Sequence, residues 1–372
     1  MVLRNLDHIC KEFITTSRSY FYKPFGSGHI NNTFLVTLSG DTGPNTFVLQ
    51  QINRNVFPRP HEVMHNIVMV TRIIKEKANT LPDVPEGYVP LEVIPSRDGN
   101  WFFEDKEGQV WRMYNYIPES TSVDELSSPS QAWEIGGMFG FFQKCLVNLD
   151  PANLFMTIPH FHDASYRLRH FEKILYENPC KRNDSAGKEI GFLLEHQTIF
   201  QLFEKKLQGN NVPARITHND TKVNNVLLHR QTGKGLCVID LDTVMPGYSL
   251  YDFGDLVRSG SCPAAEDETD LQLVRVEPEL FQKLAEGYLS QSKDFLTETE
   301  VNLFPLAGMY ITLIMAMRFL TDYLEGDVYY KIHHPGHNLD RCRTQMKLVT
   351  SLLEHQKELE ERVMKLYSGG TF

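Results

Sequence analysis

The chain has no surplus of basic charge. Its 37 Lys and Arg residues face 47 Asp and Glu, a formal net charge of −10. That balance excludes a general nucleic-acid binder, because neutralising a phosphate backbone needs a basic face. It leaves room for a local basic pocket that holds a nucleotide. Cysteine is sparse and scattered: Cys10, Cys145, Cys180, Cys237, Cys262 and Cys342 form no CxxC pair. Such spacing carries neither a disulfide framework nor a zinc site. No run of about 18 apolar residues suggests a membrane span. The N-terminal "MVLRNLDHICKEF" carries acidic residues and lacks the apolar core of a signal peptide. Reduced thiols in a cytoplasmic protein, with no nucleic-acid and no membrane partner, are the expectation. Internal repeats and low-complexity tracts are also missing. The remaining 372-residue composition, 41% hydrophobic and 23% charged, is long and apolar enough for one large domain or two lobes.

Residues 18–53 alternate aromatic and β-branched residues between Gly, Asn and Asp punctuation. "SYFYKPF", "NTFLVTL" and "TFVLQQIN" read as a three-strand antiparallel meander. "HEVMHNIVMVTRIIKEKA" has helical spacing at Val63, Ile67, Val70 and Ile74. "YVPLEVIP", "NWFFED" and "VWRMYNYIP" then add strands. After Pro118 the pattern turns helical. "PSQAWEIGGMFGFFQKCLVNL" is an apolar helix whose Gly136, Gly137 and Gly140 permit close packing. Residues 165–208 and 278–369 continue in helical period, and one hairpin, "NVLLH-RQTGKG-LCVIDLD", interrupts them. The expected fold class is α+β and bilobal. An N-terminal antiparallel sheet lobe with one main helix spans residues 1–117, and a larger helical lobe spans 118–372. A ligand cleft belongs between them.

The strongest signal is "THNDTKVNNVLLH" followed by "VIDLD". His218 lies two residues before Asp220, Lys222 two after and Asn225 five after; Asp240 follows a short hairpin. This is the spacing of a kinase catalytic loop. Phosphoryl transfer asks for positioning and charge neutralisation more than for covalent help. A carboxylate must reach the acceptor hydroxyl, which is the role of Asp220. Hard oxygen ligands must hold magnesium against phosphates, the role of Asn225 and Asp240. Lys222 offers a compact cation for the transferring group. A lone HxD, or Asp and Asn in a turn, means little; the pattern with strand, turn and strand is specific. Asp242 is either a second metal ligand or a hydrogen-bonded cap on the turn that follows.

With those motifs in hand, "ITHNDTKVNNVLL…VIDLDTVMPG…YDFGDLVR" resembles the aminoglycoside-phosphotransferase-like kinases, which share the protein-kinase-like fold. "PFGSGHINNTFLV", "IPHFHD", "MRFLTDYLEGDVYY" and "HNLDRCRTQMKLV" make it similar to one branch, the bacterial N-acetylhexosamine 1-kinases, from about residue 20 to 350. The resemblance implies ATP and Mg2+ as cofactors and an N-acetylhexosamine, phosphorylated on its anomeric hydroxyl, as substrate. It implies Asp220 as base and sugar contact, and Asn225 and Asp240 at the metal. It also implies sugar contacts from His29, Arg318 and Tyr329. Read from the residues alone, Arg318 lies in the apolar string "LAGMYITLIMAMRFL" and is costly there unless paired or facing a cavity. A salt bridge with Asp322 or Glu325 is the alternative, and Tyr329 alone would read as a packing aromatic.

Gly26, Ser27 and Gly28 occupy the turn where a nucleotide lid belongs, and glycines let backbone N–H groups approach phosphates. The connector "MYNYIP", with Tyr114 and Tyr116, should offer backbone groups to adenine. One departure stands out. Protein kinases carry a lysine on the third strand, and here that position is Gln50; Lys23 and Arg54 are the nearby cations. The literal triplet Asp252-Phe253-Gly254 lies too far downstream to hold metal. The resemblance implies instead that an aspartate of this kind buttresses the catalytic loop; in "SLYDFGDLVR", which reads as a helix start capped by Ser249, Asp252 is the candidate, with Asp255 the alternative and His218 a further structural support. Rival readings are a kinase for another sugar, an amino alcohol or an aminoglycoside, and a non-catalytic nucleotide-binding module. Monomer or weak dimer is the expected assembly. The histidine-rich "HFHD" and "IHHPGH" read as local caps or pocket edges.

Overall fold

The computed structural model describes residues 6–16, 18–26, 30–40, 45–210 and 212–369. The N-terminal meander is β1 (Tyr20–Pro24), β2 (Asn32–Leu38) and β3 (Thr46–Gln51), followed by β4 (Val93–Ile94), β5 (Phe103–Glu104) and β6 (Val110–Asn115). All pair antiparallel in the order β1-β2-β3-β6-β4, with β5 on β6. The period of two sorts the side chains. Phe34, Val36, Leu49, Trp111 and Met113 face a small core closed by α1 (Leu6–Phe13), a short amphipathic helix that the sequence reading did not anticipate. Val48, Val110 and Tyr114 face the main core and α2 (Pro60–Ala78). Gln50 and Arg112 lie on that second face, directly opposite each other across β3 and β6.

The helical part holds α3 (Pro129–Leu146), α4 (Ala164–Glu177), α5 (Gly187–His196), α6 (Thr198–Gly209), α7 (Ser249–Gly260), α8 (Pro278–Ser292), α9 (Glu298–Asn302), α10 (Phe304–Glu325), α11 (His337–Glu354) and α12 (Gln356–Gly369). α3 and α8 pack so closely that a β-carbon on Gly136 would run into the Leu284 carbonyl. One on Gly287 would run into the Trp133 carbonyl. Glycine is required there by approach of backbone to backbone. α10 is long and apolar enough by composition to cross a membrane, and 94% of its apolar window is buried in the protein. Its neighbours include α4, α6, α7 and α11.

Small β elements carry the site. The hairpin of β7 (Ser120–Thr121), β9 (Val226–His229) and β10 (Gly235–Val238) forms one sheet. β8 (Arg215–Thr217) pairs with β11 (Met245–Gly247). The catalytic loop leaves β8, and Asp240 follows β10 two residues on. Two local expectations change. Ser249 is not the cap of α7: it is the first helical residue after Tyr248, and its hydroxyl donates to Glu300. The helical period that runs to residue 369 is not continuous at its end: it breaks at His355 into α11 and α12.

Candidate active site

The loop Thr217–Asn225 is held from three sides. Asn219 sits at φ 64°, a left-handed conformation that asparagine tolerates better than most residues. Its amide nitrogen donates to the carbonyls of Thr217 and Thr243, and its Oδ1 accepts from the Thr217 hydroxyl. Asp252, on α7, accepts from the backbone N–H of His218 at 2.9 Å and of Asn219 at 2.7 Å, and from Gln143 of α3 at 2.6 Å. Burial pushes the Asp252 carboxyl up to about 6 against the pull of those donors and of His218. His218 is fully buried between Phe139 and Phe142. Its Nε2 lies 2.9 Å from the Ile239 carbonyl, so Nε2 carries the proton and Nδ1 accepts the Asp220 N–H. One ring thus couples Asp220 to the strand that leads to Asp240.

Asp220 keeps 29% of its side chain exposed. Asn225 donates to its carbonyl at 2.8 Å and to its carboxylate at 3.2 Å. The Lys222 ammonium lies 4.0 Å from the carboxylate, which raises the Lys222 pKa and keeps it charged; Glu266 adds to the effect. Asp240 adopts φ 60°, strained for an aspartate and typical of functional backbone. Asp240 is exposed, yet protein atoms crowd it closely, and the half-buried Lys222 and Arg318 are crowded in the same way. Desolvation by that crowding, then the charges of Asp242 and Asp220, push Asp240 well above the usual carboxylate range.

Among the described residues no three His, Cys, Asp or Glu side chains converge as a metal site. The candidate pair is instead an amide oxygen and a carboxylate. Asn225 spends its Nδ2 on Asp220, so its Oδ1 is left over, and no side-chain or backbone donor among the described residues serves the Asp240 carboxylate. A hard divalent cation that keeps several waters and substrate oxygens fits such a sparse set.

The Gln50 position has a specific answer. Arg112, 1% exposed, donates to the Gln50 Oε1 through Nε at 3.0 Å and Nη2 at 2.8 Å. The same guanidinium forms a two-pronged ion pair with Asp242, whose Nη2 arm measures 2.9 Å. Asn31, at the foot of the glycine-rich turn, donates to the same carboxylate at 2.6 Å. Asp242 is therefore neither a cap nor a free ligand: it ties the sheet to the segment that carries Asp240. Lys23 is exposed, and Arg54 is engaged with the Gly108 carbonyl. Glu62 pairs with Arg59 at 2.9 Å. The signal for Arg112 was an arginine inside an otherwise apolar strand, on the face of Gln50.

On the nucleotide side, Gly26 has φ 79° and Phe25 meets Tyr116 edge-on at 6.2 Å. The start of the glycine turn thus lies beside the connector. Tyr114 buries its ring under Arg112. Ser27, Gly28 and His29 lie outside the described residues.

Arg318 forms no salt bridge with Asp322 or Glu325. Asp322 accepts the backbone N–H groups of Val328, Tyr329 and Tyr330 and the Asn338 amide, and Glu325 pairs with His170 at 3.1 Å. The Arg318 guanidinium instead stands among the rings of Phe161 (5.1 Å), Tyr330 (5.6 Å) and Tyr329 (5.8 Å). Burial works against its charge, while the two tyrosines and Asp220 support it, and the balance raises its pKa. In "HFHD", Asp163 caps α4 and pairs with His160. His162 differs from a cap: it is buried, its Nε2 donates to the Asn219 carbonyl at 3.0 Å, and burial lowers it to about 3, so it is neutral. His337 binds Asp267 at 2.7 Å.

Residues 22–286 match the phosphotransferase enzyme family, APH. The chain belongs to that family. Solved structures agree on the fold. A microcompartment-associated aminopropanol kinase is 15% identical, with 96% of this chain and 98% of that one covered at a TM-score of 0.65. A spectinomycin phosphotransferase in complex with ADP and its substrate is 10% identical, covering 95% and 98% at 0.56. A choline kinase from Cryptosporidium parvum is 14% identical, covering 98% of both chains at 0.57. The phosphotransferase-family member thus has the protein-kinase-like fold, with its antiparallel sheet first and its helices after.

Proposed function

We propose that this phosphotransferase transfers the γ-phosphoryl group of ATP to the anomeric hydroxyl of an N-acetylhexosamine, N-acetylglucosamine or N-acetylgalactosamine. The two lobes are residues 1–117 for the nucleotide and 118–372 for catalysis and substrate, and the setting is the cytoplasm. Asp220 accepts the proton of the attacking hydroxyl. The new bond joins that oxygen to phosphorus as the bond to ADP breaks. A hemiacetal hydroxyl is more acidic than an ordinary alcohol, so a carboxylate base suffices. Lys222, held charged beside Asp220, faces the transferring group. Asn225 and Asp240 would hold Mg2+, which supplies neutralisation of phosphate charge. Gly26, Ser27 and Gly28, with the connector at Tyr114 and Tyr116, would receive the nucleotide. His29, Arg318 and Tyr329 would contact the sugar, and His218 and Asp252 position the loop.

The observation that carries the sugar reading is Arg318. A pocket that bound a cationic amino alcohol or aminoglycoside would need carboxylates where this one presents an arginine without an acidic partner among the described residues. The names of the aminopropanol and choline kinases support the amino-alcohol alternative only through the shared fold. A coupled ADP-release assay over free sugars, N-acetylated sugars, amino alcohols and aminoglycosides decides between them. Turnover confined to N-acetylhexosamines, with phosphorus NMR locating the product phosphate on the anomeric carbon, is the expected result. A preferred ammonium-bearing acceptor refutes it.

A further inference from the structure

Two guanidinium groups meet at Phe161. Arg318, from α10, stands over its ring at 5.1 Å. Arg167, from α4, reaches its carbonyl oxygen through Nη2 at 3.4 Å, a long and weak hydrogen bond. The Arg167 Nε is buried and has no hydrogen-bond partner. Among the described residues neither arginine forms an ion pair, and the nearby acids are committed: Asp163 to the cap of α4 and to His160, Asp322 to the Val328–Tyr330 backbone, Glu325 to His170. Burial and the charge of Arg318 lower the Arg167 guanidinium to about 10, and Tyr330, Tyr329 and Tyr166 offset only part of this.

An arginine kept for structure satisfies its five donors with carboxylates or carbonyls. The contrast is near at hand. Arg258 is as crowded, and it pairs with Asp255 at 2.6 Å and Glu266 at 2.7 Å. Apart from that weak bond and one from Arg318 Nη1 to the Met315 Sδ at 3.3 Å, Arg167 and Arg318 leave their donors unspent around one aromatic wall, and Asp220 lies close enough to act on Arg318 and on His162, the neighbour of Phe161. Donors left unsatisfied in a crowded site are satisfied by a ligand that brings acceptors.

We propose that Arg167 is a specificity-determining residue of the acceptor subsite, which with Arg318 selects acceptors carrying a strong neutral or anionic hydrogen-bond acceptor and rejects those carrying an ammonium group. This rests on the N-acetylhexosamine reading and sharpens it. Acetylation converts the ammonium of a hexosamine into an amide, removing a charge that two arginines repel and adding a carbonyl that they can bind. The selection then works by repulsion as well as by attraction.

The test compares kcat/KM for N-acetylglucosamine and for glucosamine, below the pKa of the amine, in wild type, Arg167→Gln and Arg167→Lys, with thermal melts of each. Wild type should favour the acetylated sugar by about a hundredfold or more. Arg167→Gln should narrow that ratio by about tenfold, through a higher KM for the acetylated sugar and a lower one for the amine. Arg167→Lys should keep the rejection of the amine and lose only part of the gain on the amide. A purely structural arginine would lower both sugars equally, and an unchanged ratio in both variants overturns the proposal. If Arg167→Gln does not fold, the Lys variant carries the test, and an unchanged preference for the acetylated sugar there has the same consequence. If neither sugar is turned over, the best acceptor of the panel replaces them. A neutral or anionic acceptor that loses about tenfold in Arg167→Gln sustains the clamp and overturns only the hexosamine reading. An ammonium-bearing best acceptor, or no acceptor at all, overturns both.

Discussion

Arg112 and Asp242 allow a quantitative test of how the sheet is tied to the catalytic segment. The side chains are 1% and 3% exposed, so neither charge has water as a fallback. Arg112→Met leaves the Asp242 carboxylate buried with the single Asn31 amide, and leaves the Gln50 Oε1 without its two donors. Breaking a buried pair from one side costs about 3–5 kcal/mol. That is a large share of a typical stability of about 5–15 kcal/mol, yet it leaves a folded population to measure. Adding Asp242→Leu removes the stranded charge. What remains is the unsatisfied Gln50 and Asn31, at most about 1–3 kcal/mol each. Urea denaturation of wild type, both single variants and the double variant closes the cycle. The double variant should be more stable than Arg112→Met, with a coupling of at least about 2 kcal/mol. Additive single losses would refute the ion-pair account. Activity supplies a second readout: because Asp242 lies two residues beyond the left-handed Asp240, kcat of the double variant should stay at least about tenfold low after stability is regained.

Other outcomes follow from the same geometry. Asp220→Asn should lose roughly 10²–10⁴-fold in kcat, measured by ADP release, with ATP binding and melting temperature nearly unchanged; near-wild-type turnover would remove Asp220 as base. Gly136→Ala should cost about 1–3 kcal/mol or more, because its β-carbon meets the Leu284 backbone. Gly137→Ala, with its nearest contact at 3.7 Å, should be tolerated or stabilise α3; equal effects in thermal melts would contradict the close-packing account. Asp252 has a folded pKa raised from 3.8 to about 6, so the fold favours its protonated form. Its contribution is greatest at low pH and is lost as pH rises through about 6. Asp252→Asn should therefore gain stability relative to wild type between pH 4 and 7, by an order-of-magnitude 3 kcal/mol, as two denaturation series would show.

The parts legible in the sequence were those whose partners lie close along the chain. The loop from His218 to Asn225 and the hairpin to Asp240 depend on local spacing, and the meander β1–β3 on alternation and turn residues. Asp252 could be singled out because the resembling kinases carry a buttressing aspartate downstream and "SLYDFGDLVR" puts an acid in the first turn of a helix. The misses are pairings across long separations. Arg112 meets a partner 130 residues away: its place in an apolar strand signals a charge that needs a partner, but nothing local in "VWRMYNY" says which. His162 and Arg167 acquire meaning only once α4 packs against α10 and brings "HFHD" to the catalytic loop. α1 escaped notice because eight residues give too few turns for a helical period to register.

Arg318 has one more consequence, for the chain as it is made. Between Phe304 and Thr321 it is the single charged residue, and replacing it with an apolar one leaves an uninterrupted window of the 18 residues that a spanning helix needs. Arg318 stands near the C-terminal end of that window, where a long side chain can reach the interface, so it opposes insertion by less than the about 3 kcal/mol of a central arginine. The helices α4, α6 and α7 that cover α10 precede it in synthesis, while α11 follows it. During that interval one face of the helix is uncovered. An apolar replacement of Arg318 would remove the one charge from that window, which makes glutamine rather than leucine the substitution to choose when its proposed role in binding is probed.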